Sequence, residues 1–303
     1  MSPAPLGAIA WAVLGPLALL ALAPLLDGIG RRIRARLESR AGPPLLQGYV
    51  DLAKLAGKAE VSAATGTLAA TLPPLALAAA ACAGMLLPLA GAAPLGFAGD
   101  GLVVLYLLAL SSIAVALAGS ATANPFGALG ASREMVLLVL VEPVVAIALF
   151  VVALKAGSFR LGEIAAWQAA HGPGASGVLA ALGVLLVLPG AMGRLPFDLP
   201  EAEQELMGGV SIEFGGRRLA LLRWTCFVRW LVVAGLVAAV FVPLPLPPAL
   251  ALPATLLEAL ALFALSAAAG VLFARLRADR GRAWLTQVGL VMAFAVAFAL
   301  IGF

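Results

Sequence analysis

The chain has 303 residues, of which 63% are apolar and 11% charged, with a net charge of +4 and a mean hydropathy of +1.09. Soluble domains average roughly 45–50% apolar and about 25% charged, so an ordinary soluble enzyme is excluded, and disorder is excluded because it needs low hydrophobicity. What remains is an all-α integral membrane protein, a single polytopic domain over residues 1–303, with no polar block long enough for a soluble domain.

A transmembrane helix needs about 20 apolar residues. On that measure eight spans are predicted in chain order: Leu6–Leu26, Leu68–Leu89, Leu102–Ala121, Met135–Leu154, Val178–Met192 (which can begin earlier), Trp224–Val242, Leu250–Phe273 and Trp284–Phe303. The first lacks a positive n-region and exceeds a typical signal-peptide core, so it reads as a retained helix. Sixteen of the 19 Lys and Arg residues fall in the odd-numbered connections, and only Lys155 and Arg160 in the even ones. By the positive-inside rule, both termini lie outside and the acidic and basic loops are cytoplasmic. The outer connections Ala90–Asp100 and Val242–Pro253 are nearly uncharged and read as inert. No internal repeat is visible.

Three polar groupings stand out. The first connection carries Gln47, Asp51, Lys54 and Lys58 among Leu45, Leu52 and Leu55, a spacing that predicts a short amphipathic helix at the membrane surface. By physics alone it is an interfacial anchor. The fourth span carries Arg133-Glu134 and then Glu142-Pro143. Glu142 lies about 12 Å deeper than Glu134 at 1.5 Å per residue, on broadly the same side of the helix. An acid at the bilayer centre costs roughly 2.5–3.5 kcal/mol, which fits a proton relay; a permanently neutral packing residue is the alternative. Arg229, inside the sixth span, either snorkels or pairs with a buried acid.

The richest stretch follows the fifth span: Arg194, Asp198, Glu201, Glu203 and Glu205, then Gly208-Gly209 and Glu213, with Arg217 and Arg218 beyond. Asp198 and Glu201 have capping-box spacing, predicting a helix from Leu199 with Glu201 and Glu205 on one face. Five carboxylates beside three arginines, in a chain with 15 acids, fit a partner-docking face made of inner loops 31–66 and 193–223; the alternative is an acidic surface helix. Glu258, early in the seventh span, reads equally as a snorkelling interfacial residue or a functional one, and the lone histidine, His171, reads as solvated. Two cysteines, Cys82 and Cys226, cannot supply the four thiolates of an iron–sulfur cluster. No catalytic residue, metal site, cofactor or nucleic-acid partner is expected of this chain.

The residues R-L-P-F-D-L-P-E-A-E-Q-E-L-M-G-G…I-E-F and G-P-P-L-L-Q-G-Y-V-D-L-A-K-L resemble the membrane subunit of respiratory complex I that borders the quinone chamber. Within that superfamily, A-S-R-E-M…V-E-P and L-L-R-W-T-C-F-V-R-W resemble the corresponding subunit of group 4 membrane-bound [NiFe] hydrogenases, including formate hydrogenlyase and hydrogenase 4. The complex I branch carries an acid where this chain has Ala191. The resemblance implies an eight-helix subunit of a prokaryotic cell (inner) membrane, with an ion pathway through Glu134, Glu142, Glu213 and Arg229. It implies a docking or quinone-chamber-like loop built from Arg194, Asp198, Glu201, Glu203, Glu205, Gln47, Asp51 and Lys54. Implied partners are a small Fe-S subunit and a large hydrogenase-like subunit on the cytoplasmic side, antiporter-like membrane subunits and the lipid bilayer. The iron–sulfur clusters and the [NiFe] centre would sit in those partners, and quinone is a further candidate ligand. The implied role is coupling of electron transfer to proton or sodium movement. A quinone-site subunit of a complex I-like NADH or ferredoxin dehydrogenase stays open, as do a stand-alone secondary transporter and a passive anchor.

Overall fold

The computed structural model describes residues 5–60, 66–88, 100–122, 124–242 and 248–302, without the side chains of 5–14, 203–204, 248–249 and 278. The described residues form helices and turns with no strand. In chain order the helices are α1 (Pro5–Leu37), α2 (Gln47–Ala56), α3 (Thr67–Met85), α4 (Gly101–Ser120), α5 (Pro125–Ala156), α6 (Leu161–His171), α7 (Ala175–Ala191), α8 (Glu203–Leu206), α9 (Gly216–Phe241), α10 (Pro248–Leu272) and α11 (Ala278–Ile301), with a 3-10 turn at Gly209–Glu213. Helices are the natural outcome in lipid, where every backbone polar group must be satisfied within the segment.

Each predicted span overlaps one helix, and six of the eight run past its C-terminal end, Leu68–Leu89 past Met85 by the most. Among the described residues, six helices are long and apolar enough to cross a membrane: α3, α4, α5, α9, α10 and α11, while α7 is apolar but has only 17 residues. α9 occupies the centre, packed against α1, α3, α7 and α10, and every residue from Leu231 to Phe241 is buried. Around it, α3 packs on α4, α4 on α5, and α11 on both α5 and α7. The α3–α4 contact uses small buried residues, Ala76, Ala80, Ser111 and Ala114 among them, and Ser111 Oγ donates to the Ala76 carbonyl at 2.9 Å. Small side chains let helix backbones approach closely where no hydrophobic force drives them together in lipid.

The ends of the spans depart from the sequence expectation at three places. α5 starts ten residues earlier than expected, because Asn124 caps it by accepting from the Phe126 amide at 2.8 Å and Pro125 opens its first turn. At 32 residues it is about 48 Å long, well beyond a 30 Å hydrocarbon core. The outer connection around His171 is more than a solvated loop: it contains α6, whose Leu161, Ile164 and Gln168 form one buried face. His171 closes that helix, its ring stacked on Trp167 at 4.7 Å. The helix expected from Leu199 does not form there. Asp198 is drawn off to Arg275 at 2.6 Å, and the residues from Leu199 to Glu201 make a turn before the single turn α8. Glu201 and Glu205 therefore do not share a helical face. α8 ends at Leu206, one residue ahead of the expected Gly208-Gly209 stop: Met207 already turns left-handed at φ +53°, and the two glycines follow at +103° and +54°.

Residues 90–99 of the first outer connection and 243–247 of the Pro-rich one lie outside the described residues. The basic connections meet at one end of the bundle. Arg218 reaches Glu60 at 3.5 Å, Arg133 reaches Glu205 and Arg275 reaches Asp198, so the four inner loops are tied to one another. At the opposite end Asp100 and Arg160 form a backbone bridge.

Candidate functional site

Two groups of polar side chains are organised at different depths. The deeper lies between α4, α5, α7 and α9. Arg229 Nη1 donates to Glu134 Oε1 at 3.1 Å, and both side chains are largely buried. A cavity of about 60 Å³ opens beside this pair, lined by Glu134, Glu142, Arg229, Ser112 and Ala191 among apolar side chains. That volume has room for several water molecules. Glu134 and Glu142 reach it together because eight residues of helix separate them, just over two turns. Arg229, expected either to snorkel or to pair, pairs. Ala191 faces this same cavity.

The shallower group is the segment from Arg194 to Glu213. Its acids are held by partners far away in sequence. Asp198 pairs with Arg275, Glu205 pairs with Arg133 at 2.6 Å, and Asn124 Nδ2 donates to Glu213 Oε1. Glu213, expected on the ion pathway, thus sits at the 3-10 turn against the start of α5. Glu201 is exposed on the turn before α8, and the side chain of Glu203 lies outside the described residues. Gly209 lets the loop close: with φ +54°, a Cβ there would stand 2.0 Å from the Pro200 carbonyl oxygen.

Arg194 does not join these acids. Its guanidinium lies over the rings of Trp230 and Phe263, 4.5 and 4.6 Å from their centroids. Burial, and then the neighbouring Arg34, lower its pKa to about 10. Its Nη1 is buried without a hydrogen-bond partner among the described residues.

The first inner loop folds as the predicted amphipathic helix, α2. Gln47 Nε2 donates to Asp51 Oδ1 at 2.8 Å, and Arg31 bridges Asp51 at 3.0 Å and Asp27 at 2.8 Å. Lys54 is exposed. Tyr49 fastens α2 to α1 by donating to the Ala21 carbonyl, and burial raises the pKa of its phenol. Nearby, Pro24 cannot donate to the Leu20 carbonyl one turn back, and Trp224 of α9 fills that role with Nε1 at 3.0 Å.

Asp27, Arg275 and Trp230 were not singled out from the sequence. The Asp27–Arg31 spacing of four is a readable signal. The partnership of Arg275 with Asp198, 77 residues apart, has no local signature.

A family model described as NADH dehydrogenase matches residues 9–301. Hydrogenase-4 component C of Escherichia coli is 37% identical over 271 residues, 85% of each chain. Formate hydrogenlyase subunit 4 of the same organism is 38% identical over 237 residues, 75% of each. A membrane subunit of the NADH-quinone oxidoreductase of Salinibacter ruber is 30% identical over 251 residues, 76% of this chain and 72% of its own. Among solved structures, a chain of the membrane-bound sulfane sulfur reductase, an archaeal respiratory membrane complex, superposes with a TM-score of 0.90 at 25% identity, covering 97% of this chain and 99% of that one.

Proposed function

Because this chain belongs to the NADH dehydrogenase family as a multi-pass membrane subunit, we propose that it is the coupling subunit of an energy-converting hydrogenase in a prokaryotic cell membrane. In that reading the 193–223 and 31–66 loops meet a cytoplasmic arm of a small iron–sulfur subunit and a large [NiFe]-type subunit, with antiporter-like subunits alongside in the bilayer. The partners hold the redox centres. This chain moves the proton, or admits the sodium ion, that redox turnover drives.

The observation that carries the reading is the cavity in which two carboxylates share one cation. Arg229 balances Glu134, which leaves Glu142 facing the same cavity with no second cation among the residues that line it. A carboxyl group placed deep in a span, beside a hydrated space and near a mobile charge balance, is built to take up and give back a proton. The sequence similarity of 37–38% to subunits of hydrogenase 4 and formate hydrogenlyase supports the hydrogenase branch.

The test is Glu142→Gln in the intact complex. The amide keeps the size and hydrogen-bonding capacity but cannot titrate. The complex is expected to assemble with all its partners, redox turnover by the detached arm is expected to persist, and ion uptake into vesicles is expected to fall strongly. Normal ion uptake by that variant overturns the relay.

A further inference from the structure

One turn of α9 faces two ways. Arg229 reaches Glu134 on α5 in the cavity, and its neighbour Trp230 reaches the end of α7, where Nε1 donates to the Met192 carbonyl at 2.7 Å. Met192 directly follows Ala191, which lines the cavity with Val184 and Gly190 of the same helix. Two residues further on, Arg194 lays its guanidinium over Trp230 and Phe263, whose rings are 5.7 Å apart. Aromatic faces attract a desolvated cation, indole most strongly. Gly30 of α1 leaves the space: a Cβ there would stand 3.0 Å from both Arg194 Nη2 and the Phe263 ring. The root of the 193–215 loop is therefore fastened to the same helical turn that presents Arg229. Side chains adjacent on a helix project about 100° apart and move together when their turn shifts.

We propose that Trp230 and Arg194 are positioning residues, which clamp segment 192–194 onto the α9 turn carrying Arg229, so that movement of the inner loop by a docked partner alters the Arg229–Glu134 contact. The clamp itself rests on the geometry; its consequence for ion movement rests on the coupling function above. It links the loop to the cavity by contact, without a charged chain between them.

The test uses the assembled complex. Trp230→Phe keeps a smaller ring under Arg194 and removes the N–H that the Met192 carbonyl accepts. In a structure of that variant the Arg229–Glu134 separation is expected to lengthen from 3.1 Å beyond hydrogen-bond distance. Ion movement per redox turnover is expected to fall by about three- to tenfold, the weight of one buried hydrogen bond. In a Glu134→Gln background the same substitution is expected to add little further loss, because the amide still accepts from Arg229 but the ion pair that the clamp positions is already gone. An unchanged Arg229–Glu134 contact, or fully additive losses, overturns the proposal. Should Glu134→Gln alone leave ion movement intact, the coupling function fails, and the measured separation still decides the clamp. Gly30→Ala gives a second route if Trp230→Phe does not assemble. Its methyl group would press on Arg194 and on the Phe263 ring together, with Trp230 not among its nearest neighbours; the same lengthening is expected, and an unchanged separation counts against the clamp equally.

Discussion

The cavity between α4, α5, α7 and α9 and the loop from Arg194 to Glu213 use acidic residues in opposite ways. In the loop, Asp198 and Glu205 form ion pairs with Arg275 and Arg133, and Glu213 accepts a hydrogen bond from Asn124. Those acids fold the loop, so its surface toward a partner is made by what they leave exposed, Glu201 and Arg217 among it. In the cavity two acids face one arginine. A matched pair has one stable arrangement. An unmatched set has two, which differ in the position of a proton or of a cation, and only the second kind can do work when something nearby changes charge. Placement in lipid strengthens the contrast, because a lone charge there is far more costly than at a surface.

The largest expected effect breaks the cavity side. Arg229→Met leaves Glu134 buried with no cation, and removing one partner of a buried pair costs about 3–5 kcal/mol. The midpoint of thermal inactivation of the purified complex is expected to drop, and the double variant Arg229→Met with Glu134→Gln is expected to recover most of the loss. A silent single variant would mean that the pair is not what anchors α5 to α9. Assembly with no ion movement in the double variant would separate stability from function at the same site.

A smaller effect is expected on the loop side. The Arg133–Glu205 pair is partly exposed, 27% and 48% for the two side chains, and such pairs contribute about 0.2–1 kcal/mol. Glu205→Arg is expected to open the 193–215 segment to limited proteolysis and to weaken retention of the peripheral subunits. The charge swap, Arg133→Glu with Glu205→Arg, is expected to restore both. Restored protease resistance without restored retention would show that Glu205 touches a partner directly, and the contrast with the cavity would narrow.

The bundle was legible because a membrane span is a length rule written in composition, and each predicted apolar stretch overlaps one helix, with its end misplaced by one to four residues in six of the eight. The surface helix α2 was legible from its amphipathic spacing. Glu134 and Glu142 could be placed together because both lie on one helix, where spacing fixes direction. The pairings could not be read. Arg229 and Glu134 lie 95 residues apart, and Trp230 and Met192 38 apart, and nothing local encodes which helices become neighbours. Asp198 shows the same limit from the other side. Its capping-box spacing is a correct local preference, overridden by an arginine that the fold brings from the start of the last connection. The early start of α5 was missed because Asn124-Pro125 is a good helix opening hidden outside the apolar stretch.

The smallest expected effect sharpens the comparison most, because it adds an acid instead of removing one. Ala191 closes α7 and faces the cavity, at the position where the sequence resemblance implies a carboxylate in the complex I branch. Ala191→Glu would give three acids to one arginine. A side chain of that size displaces water from a cavity of about 60 Å³, and a third carboxyl group in the same space is held neutral more readily than charged. The complex is expected to assemble, and ion movement per redox turnover is expected to stay level or to decline mildly. Vesicle uptake measured beside hydrogen-linked turnover checks this in one preparation. An increase in ions moved per turnover would mean that the alanine limits the pathway. Glu134 and Glu142 alone would then not account for coupling, and the cavity would be better described as a complex I pathway lacking one of its acids.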